Sequence, residues 1–234
     1  MKSQALKKVE GLRKLPIFPL PIVLLPNEIL PLHIFEPKYR KMLKDIELTS
    51  NLFGVSYLSS EDALKSRKPP IGSVGCVTEI HEIQQLPDGR SNILTIGLIR
   101  YTIEEYVETN EPYLIAAVSY FEDEEEDMEK VTPLADEVFQ TFVRIAKIAQ
   151  EISGEREKLP EIPQAEPQTL SFLIGAAFNL PPEEKYALLE TRSTYERLLK
   201  LSEKLKEIIR RIETTSETLK IAQLNGHAQR KIDI

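Results

Sequence analysis

The chain has 234 residues, of which 41% are hydrophobic and 29% charged, with a formal net charge of −7 at pH 7. A chain of this length buries roughly 70% of the surface its unfolded form exposes, so a packed core is expected and wholesale disorder is excluded. The negative balance repels phosphate on average, which argues against nucleic acid as a general partner.

Residues 1–14 mix Lys2, Lys7, Lys8, Arg13 and Lys14 with scattered apolar residues. They lack the apolar stretch of a secretory signal and are expected to be flexible. Residues 15–125 carry short apolar runs punctuated by Pro, Gly and Asp, as a β domain does. Strands are expected at 15–20, 29–35, 52–58, 73–86, 93–98, 101–107 and 113–120. A helix interrupts them at 37–47, where Pro37 suits a first turn and Tyr39, Met42, Leu43 and Ile46 recur at helical spacing. Residues 59–70 read as a polar loop. Pro87, Asp88, Gly89 and Arg90 mark a hairpin, since proline presets φ and glycine accepts a positive one.

Glu122, Asp123, Glu124, Glu125, Glu126 and Asp127 are six consecutive acids that should repel one another and stay solvated, and a domain boundary is expected there. Residues 126–215 then read as helical. Leu134, Val138, Phe142, Ile145, Ala149 and Ile152 form one stripe, and a loop containing Pro160, Pro163 and Pro167 follows. A helix at 168–179 is apolar nearly all round, which suits the centre of a bundle. Pro181 and Pro182 restart the chain as a short helix to Leu189. The last helix, at 193–214, spaces Leu198, Leu201, Leu205, Ile208 and Ile212 by threes and fours. That seam reads first as docking on its own bundle and second as a weak homo-oligomer contact. Residues 216–234 are expected to fray. No apolar run approaches the ~20 residues a bilayer needs, so no membrane partner is expected.

No phosphate-binding glycine loop is present, and His33, His81 and His227 are too scattered for a metal site, so no cofactor, metal or catalytic residue is expected. His33, on an apolar run with Glu36 three residues on, reads as held by one fixed hydrogen bond. Cys76 is the single cysteine and alternates with Val74, Thr78 and Ile80 as a small buried hydrophobe would. Having no disulfide partner, it fits a reducing, cytoplasmic setting. Phe18, Leu20, Leu32, Ile34 and Phe35 read as core residues.

Residues 15–39, LPIFPLPIVLLPNEILPLHIFEPKY, combine FPLP with LPLHIFEP in order. GSVGCVTEI at 72–80, LPDGRSNILTIGLIRY at 86–101 and EPYLIAAV at 111–118 follow in sequence. Together these segments resemble the N-terminal, substrate-binding domain of the Lon protease family over about residues 15–205. The resemblance implies an α+β protein, a PUA-like β pseudobarrel followed by an α-helical bundle. It also implies a free-standing, non-catalytic module that binds unfolded or damaged polypeptides in protein quality control, lacking the family's ATPase and protease parts. The family often has glycine where Asn27 stands, and asparagine tolerates the same left-handed geometry. A polypeptide-binding surface needs exposed apolar groups rimmed by polar ones. The candidates are Leu24, Leu25 and Pro26, where alternation breaks, and Tyr57 and Leu58, beside the polar loop. A small-molecule-binding or regulatory barrel and a structural self-assembly module are the alternatives.

Overall fold

In the computed structural model the described residues are 3–153 and 165–229. The first half runs α1 (Gln4–Lys8), β1 (Lys14–Leu20), β2 (Ile29–Ile34), α2 (Pro37–Glu47), β3 (Leu52–Tyr57), α3 (Ser60–Lys65), β4 (Val74–Gln85), β5 (Ser91–Tyr106) and β6 (Leu114–Phe121). Four helices follow: α4 (Met128–Ser153), α5 (Pro167–Ala177), α6 (Pro182–Glu190) and α7 (Thr194–Gln229). The architecture is α+β. Ala149 and Ile152 lie outside the described side chains, and Pro160, Pro163 and residues 230–234 outside the described residues.

The sheet is mixed, with β1 parallel to β3 and the other neighbours antiparallel. Its order is β2-β5-β4-β3-β1-β6, and β6 pairs back onto β5, so five strands close on themselves while β2 hangs from the first half of β5. Closure depends on β5 being one strand of 16 residues, where two runs at 93–98 and 101–107 were expected. Register shifts leave Leu98 unpaired against β4 and Glu104 unpaired against β6, irregularities that bend the strand without ending it, while a third shift leaves His81 extra in β4. Arg100, the charge between the two expected runs, is buried inside the strand.

One side of this sheet is filled by Leu15, Ile17, Val77, Tyr101 and Ile103. Gly54 and Gly75 are required there, because a Cβ on either would collide with the Tyr101 ring, whose hydroxyl shares a 2.6 Å hydrogen bond with Ser56. Within the stretch expected to be flexible, Gln4–Lys8 form α1, capped by Ser3 Oγ accepting from Leu6 N–H at 3.0 Å. Leu6, Val9 and Leu12, three residues apart, close this end of the core, with Val9 buried. Within the expected polar loop, Ser59 caps α3 by accepting from Asp62 N–H at 3.1 Å. The hairpin turns as expected, with Leu86 and Arg90 paired across a Gly89 of φ 78°.

In the helical half, α4 packs along α7 and α5 lies against both. Val138, Ile145, Leu170, Ile174, Leu198, Leu201 and Leu205 form their shared core. The Leu198, Leu201 and Leu205 seam therefore faces its own helices. α7 stays helical to Gln229, past the expected end near residue 214, and no proline after Pro182 interrupts it. Phe172 and Leu189 belong to the sheet's second core cluster, so the two halves are joined by packed apolar surface.

Candidate functional site

The five residues expected to bind polypeptide fall in three places. Leu24, Leu25 and Pro26 are buried, Leu25 at 0% exposure. A Cβ on Gly97 would strike the Leu25 carbonyl, and the Leu25 side chain packs 3.1 Å from where a Cβ on Gly175 would stand. The loop is therefore a layer between sheet and α5, covered on both faces, and that is why alternation breaks there. Its next residue, Asn27, takes φ 66°, as a left-handed turn requires. Tyr57 is committed to α6: its ring lies 5.7 Å from that of Tyr186, and its hydroxyl donates to Glu183 at 3.0 Å. Leu58, half-buried, lines an open cleft.

That cleft has a volume of about 460 Å³. The end of β1 contributes Pro19, the start of α2 contributes Lys38 and Tyr39, α3 and the turn after it contribute Ala63 and Arg67, and the approach to β6 contributes Pro112, Tyr113 and Leu114. Local chemistry positions each wall. Pro37 at the first turn of α2 places Tyr39 against Phe18, ring centroids 4.0 Å apart, with Lys38 Nζ 4.5 Å above the Tyr39 ring. Burial pushes the Tyr39 phenol above its ordinary pKa. Tyr113 donates to Asp45 at 2.7 Å, and burial together with that carboxylate acceptor pushes its phenol up to about 12. Lys41 bridges Asp45 and Glu111 at 2.7 Å each. The result is a cleft whose lining mixes apolar residues with charged ones.

A second exposed apolar patch lies on β2, where Ile29 is 60% exposed and Phe35, just beyond the strand, 58% exposed. Phe35 was expected in the core, whereas Phe18 and Ile34 are buried and Leu20 and Leu32 half-buried. The His33 ring stacks 6.0 Å from Phe35, and its fixed hydrogen bond is to Asn92 Oδ1 at 2.7 Å.

The acidic run is solvated only in part: Glu124, Glu125 and Asp127 are exposed as expected, but Asp123 and Glu126 are not free. Asp123 is 5% exposed at its side chain and is clamped between Arg100 and Arg197, both buried. Arg100 donates to the carbonyls of Leu189 at 3.1 Å and Thr191 at 2.7 Å. Arg197 donates to Ser171 Oγ at 2.7 Å and to the Thr191 carbonyl at 2.8 Å, and its guanidinium lies 3.9 Å from the Phe172 ring. Burial lowers the Arg100 pKa, partly offset by Asp123. Glu126 caps α7, accepting from Thr194 N–H at 2.6 Å and Ser193 Oγ at 2.7 Å. Two of the six acids thus hold the sheet and the helices together.

Among the described residues no three His, Cys, Asp or Glu side chains converge on a metal position. Cys76 is fully buried, and desolvation pushes its thiol up to about 12, far from a reactive thiolate. No helix among the described residues is long and apolar enough to cross a membrane.

A closed sheet joined to helices through a buried charge cluster, with an open cleft of mixed apolar and charged lining on one flank, defines an α+β domain. The chain belongs to the family described as the ATP-dependent protease La (LON) substrate-binding domain, which matches residues 14–207. It is 30% identical to the Lon protease of Cytophaga hutchinsonii over 213 residues, covering 87% of this chain and 26% of that protein. The chain therefore spans about a quarter of that relative's length. Among solved structures, the N-terminal domain of Mycobacterium avium complex Lon protease aligns with a TM-score of 0.61 at 18% identity, covering 82% of this chain and 98% of that one. A Lon N-terminal domain protein from Xanthomonas campestris aligns with a TM-score of 0.58 at 20% identity, covering 80% and 96%. At these identities the structural likeness shows the fold.

Proposed function

We propose that this protein is a non-catalytic module that binds unfolded or damaged polypeptides in cytoplasmic protein quality control, its closed sheet a PUA-like pseudobarrel and its helices a C-terminal bundle. Membership of a substrate-binding family supports a recognition role. The observation that carries the reading is the cleft beside Tyr39, where Leu58, Leu114 and Pro19 offer apolar surface within a charged rim. It is built on the FEPKY segment that bears the family resemblance.

The test is client protection without ATP. A chemically denatured client diluted into equimolar protein should aggregate more slowly, read by light scattering. Ala63→Glu places a helix-compatible charge at the cleft on α3 and should abolish protection while leaving the melting temperature unchanged. A parent protein that protects no client, or an Ala63→Glu variant that protects as well as the parent, would overturn the assignment.

A further inference from the structure

The cleft has one cation left over. Glu36 is paired with Lys38 at 3.2 Å, and Glu111 with Lys41. Arg67 lines the same cleft, is exposed, and its guanidinium has no hydrogen-bond or ion-pair partner among the described residues. Its backbone is nevertheless fixed, at φ 55° with its N–H donating to the Asp62 carbonyl at 3.0 Å. Arg67 therefore offers an unpaired charge, on a long side chain from a fixed backbone, at one corner of a cleft also lined by Tyr39, Leu58 and Leu114.

A ligand that complements this corner brings an apolar side chain and a carboxylate within a few bonds of each other. The volume of about 460 Å³ lies toward the small end of ligand sites and suits a few residues rather than a long segment. A chain end satisfies both conditions, since its last side chain and its α-carboxylate share one Cα and no continuing backbone must be desolvated. We infer that the cleft captures the C-terminal residues of an apolar client chain, with the α-carboxylate on Arg67. This rests on the polypeptide-binding reading of the same cleft.

Three fluorescent hexapeptides of one apolar sequence test it at low salt by anisotropy: the free acid, the C-terminal amide, and an amide with glutamate at the penultimate position. The free acid should bind about fivefold tighter than the amide, the size expected of one exposed ion pair at low salt. Arg67→Gln should erase that difference without altering the melting temperature, and Arg67→Lys should restore part of it. Equal binding of acid and amide, or a difference that survives Arg67→Gln, overturns the inference alone. A glutamate amide that binds as well as the free acid shows that any carboxylate serves and removes the chain-end assignment. If no peptide binds, the inference and the polypeptide-binding reading fall together.

Discussion

Two regions of the molecule set cations beside aromatic rings and carboxylates, and they are finished in opposite ways. In the cluster between sheet and helices, Arg100 and Arg197 share Asp123, draw on the Leu189 and Thr191 carbonyls, and lie over Phe172. At the cleft, Lys38 lies over Tyr39 and is held by Glu36, but Arg67, on the same cleft, has no such partner among the described residues. Burial makes the difference. A charge removed from water must find partners within the protein, whereas an exposed one keeps its hydration and stays available to a ligand. The contrast separates residues that hold the fold from residues free to bind.

The largest expected effect comes from breaking the buried cluster. Asp123→Ala would leave two guanidinium groups buried with their shared carboxylate gone, and it should cost about 3–5 kcal/mol of stability. Urea denaturation measures this. A loss below about 1 kcal/mol would mean that the cluster, like the cleft, is served by water. Leu25→Ala comes next, at about 3 kcal/mol, because a fully buried leucine between two packed layers leaves a cavity. Unchanged stability with lost client binding would return the 24–26 loop to the binding surface. Glu126→Ala, which uncaps α7, should cost about 1 kcal/mol and leave client protection intact.

Legibility in the sequence follows the same division. α2 could be read to the residue because Pro37 and the spacing of Tyr39, Met42, Leu43 and Ile46 are local signals. The continuity of β5 could not, since Arg100 fits within a strand only through partners remote in sequence, Asp123 and the carbonyls of Leu189 and Thr191. Six consecutive acids say solvent when read alone, and only the fold shows that Asp123 and Glu126 answer charges and amides on α7. Ser59 followed by Asp62 did carry a start signal for α3, and Leu6, Val9 and Leu12 carried the apolar side of α1 and the turn after it, but both stretches were short and polar enough to pass as loops. Of the expected binding residues, Leu58 alone lines the cleft, and Arg67 has no neighbour in sequence that marks it. Its freedom is a fact about which partners are absent in space.

The smallest expected effect sharpens the comparison most. Arg67→Gln should change stability by less than about 0.5 kcal/mol, because an exposed side chain without partners contributes little to the folded state. Salt gives an independent handle. Raising ionic strength to 1 M shortens the screening length to about 3 Å, so any carboxylate held by Arg67 should weaken, while the buried cluster is shielded far less. Parent and Asp123→Ala proteins should then keep their stability difference across the salt range, and the preference for an acid over an amide peptide should shrink toward unity. If instead Arg67→Gln destabilised the protein by more than about 1 kcal/mol, the arginine would have a structural partner of its own. The cleft would then be as self-satisfied as the buried cluster, with no charge left to offer a client.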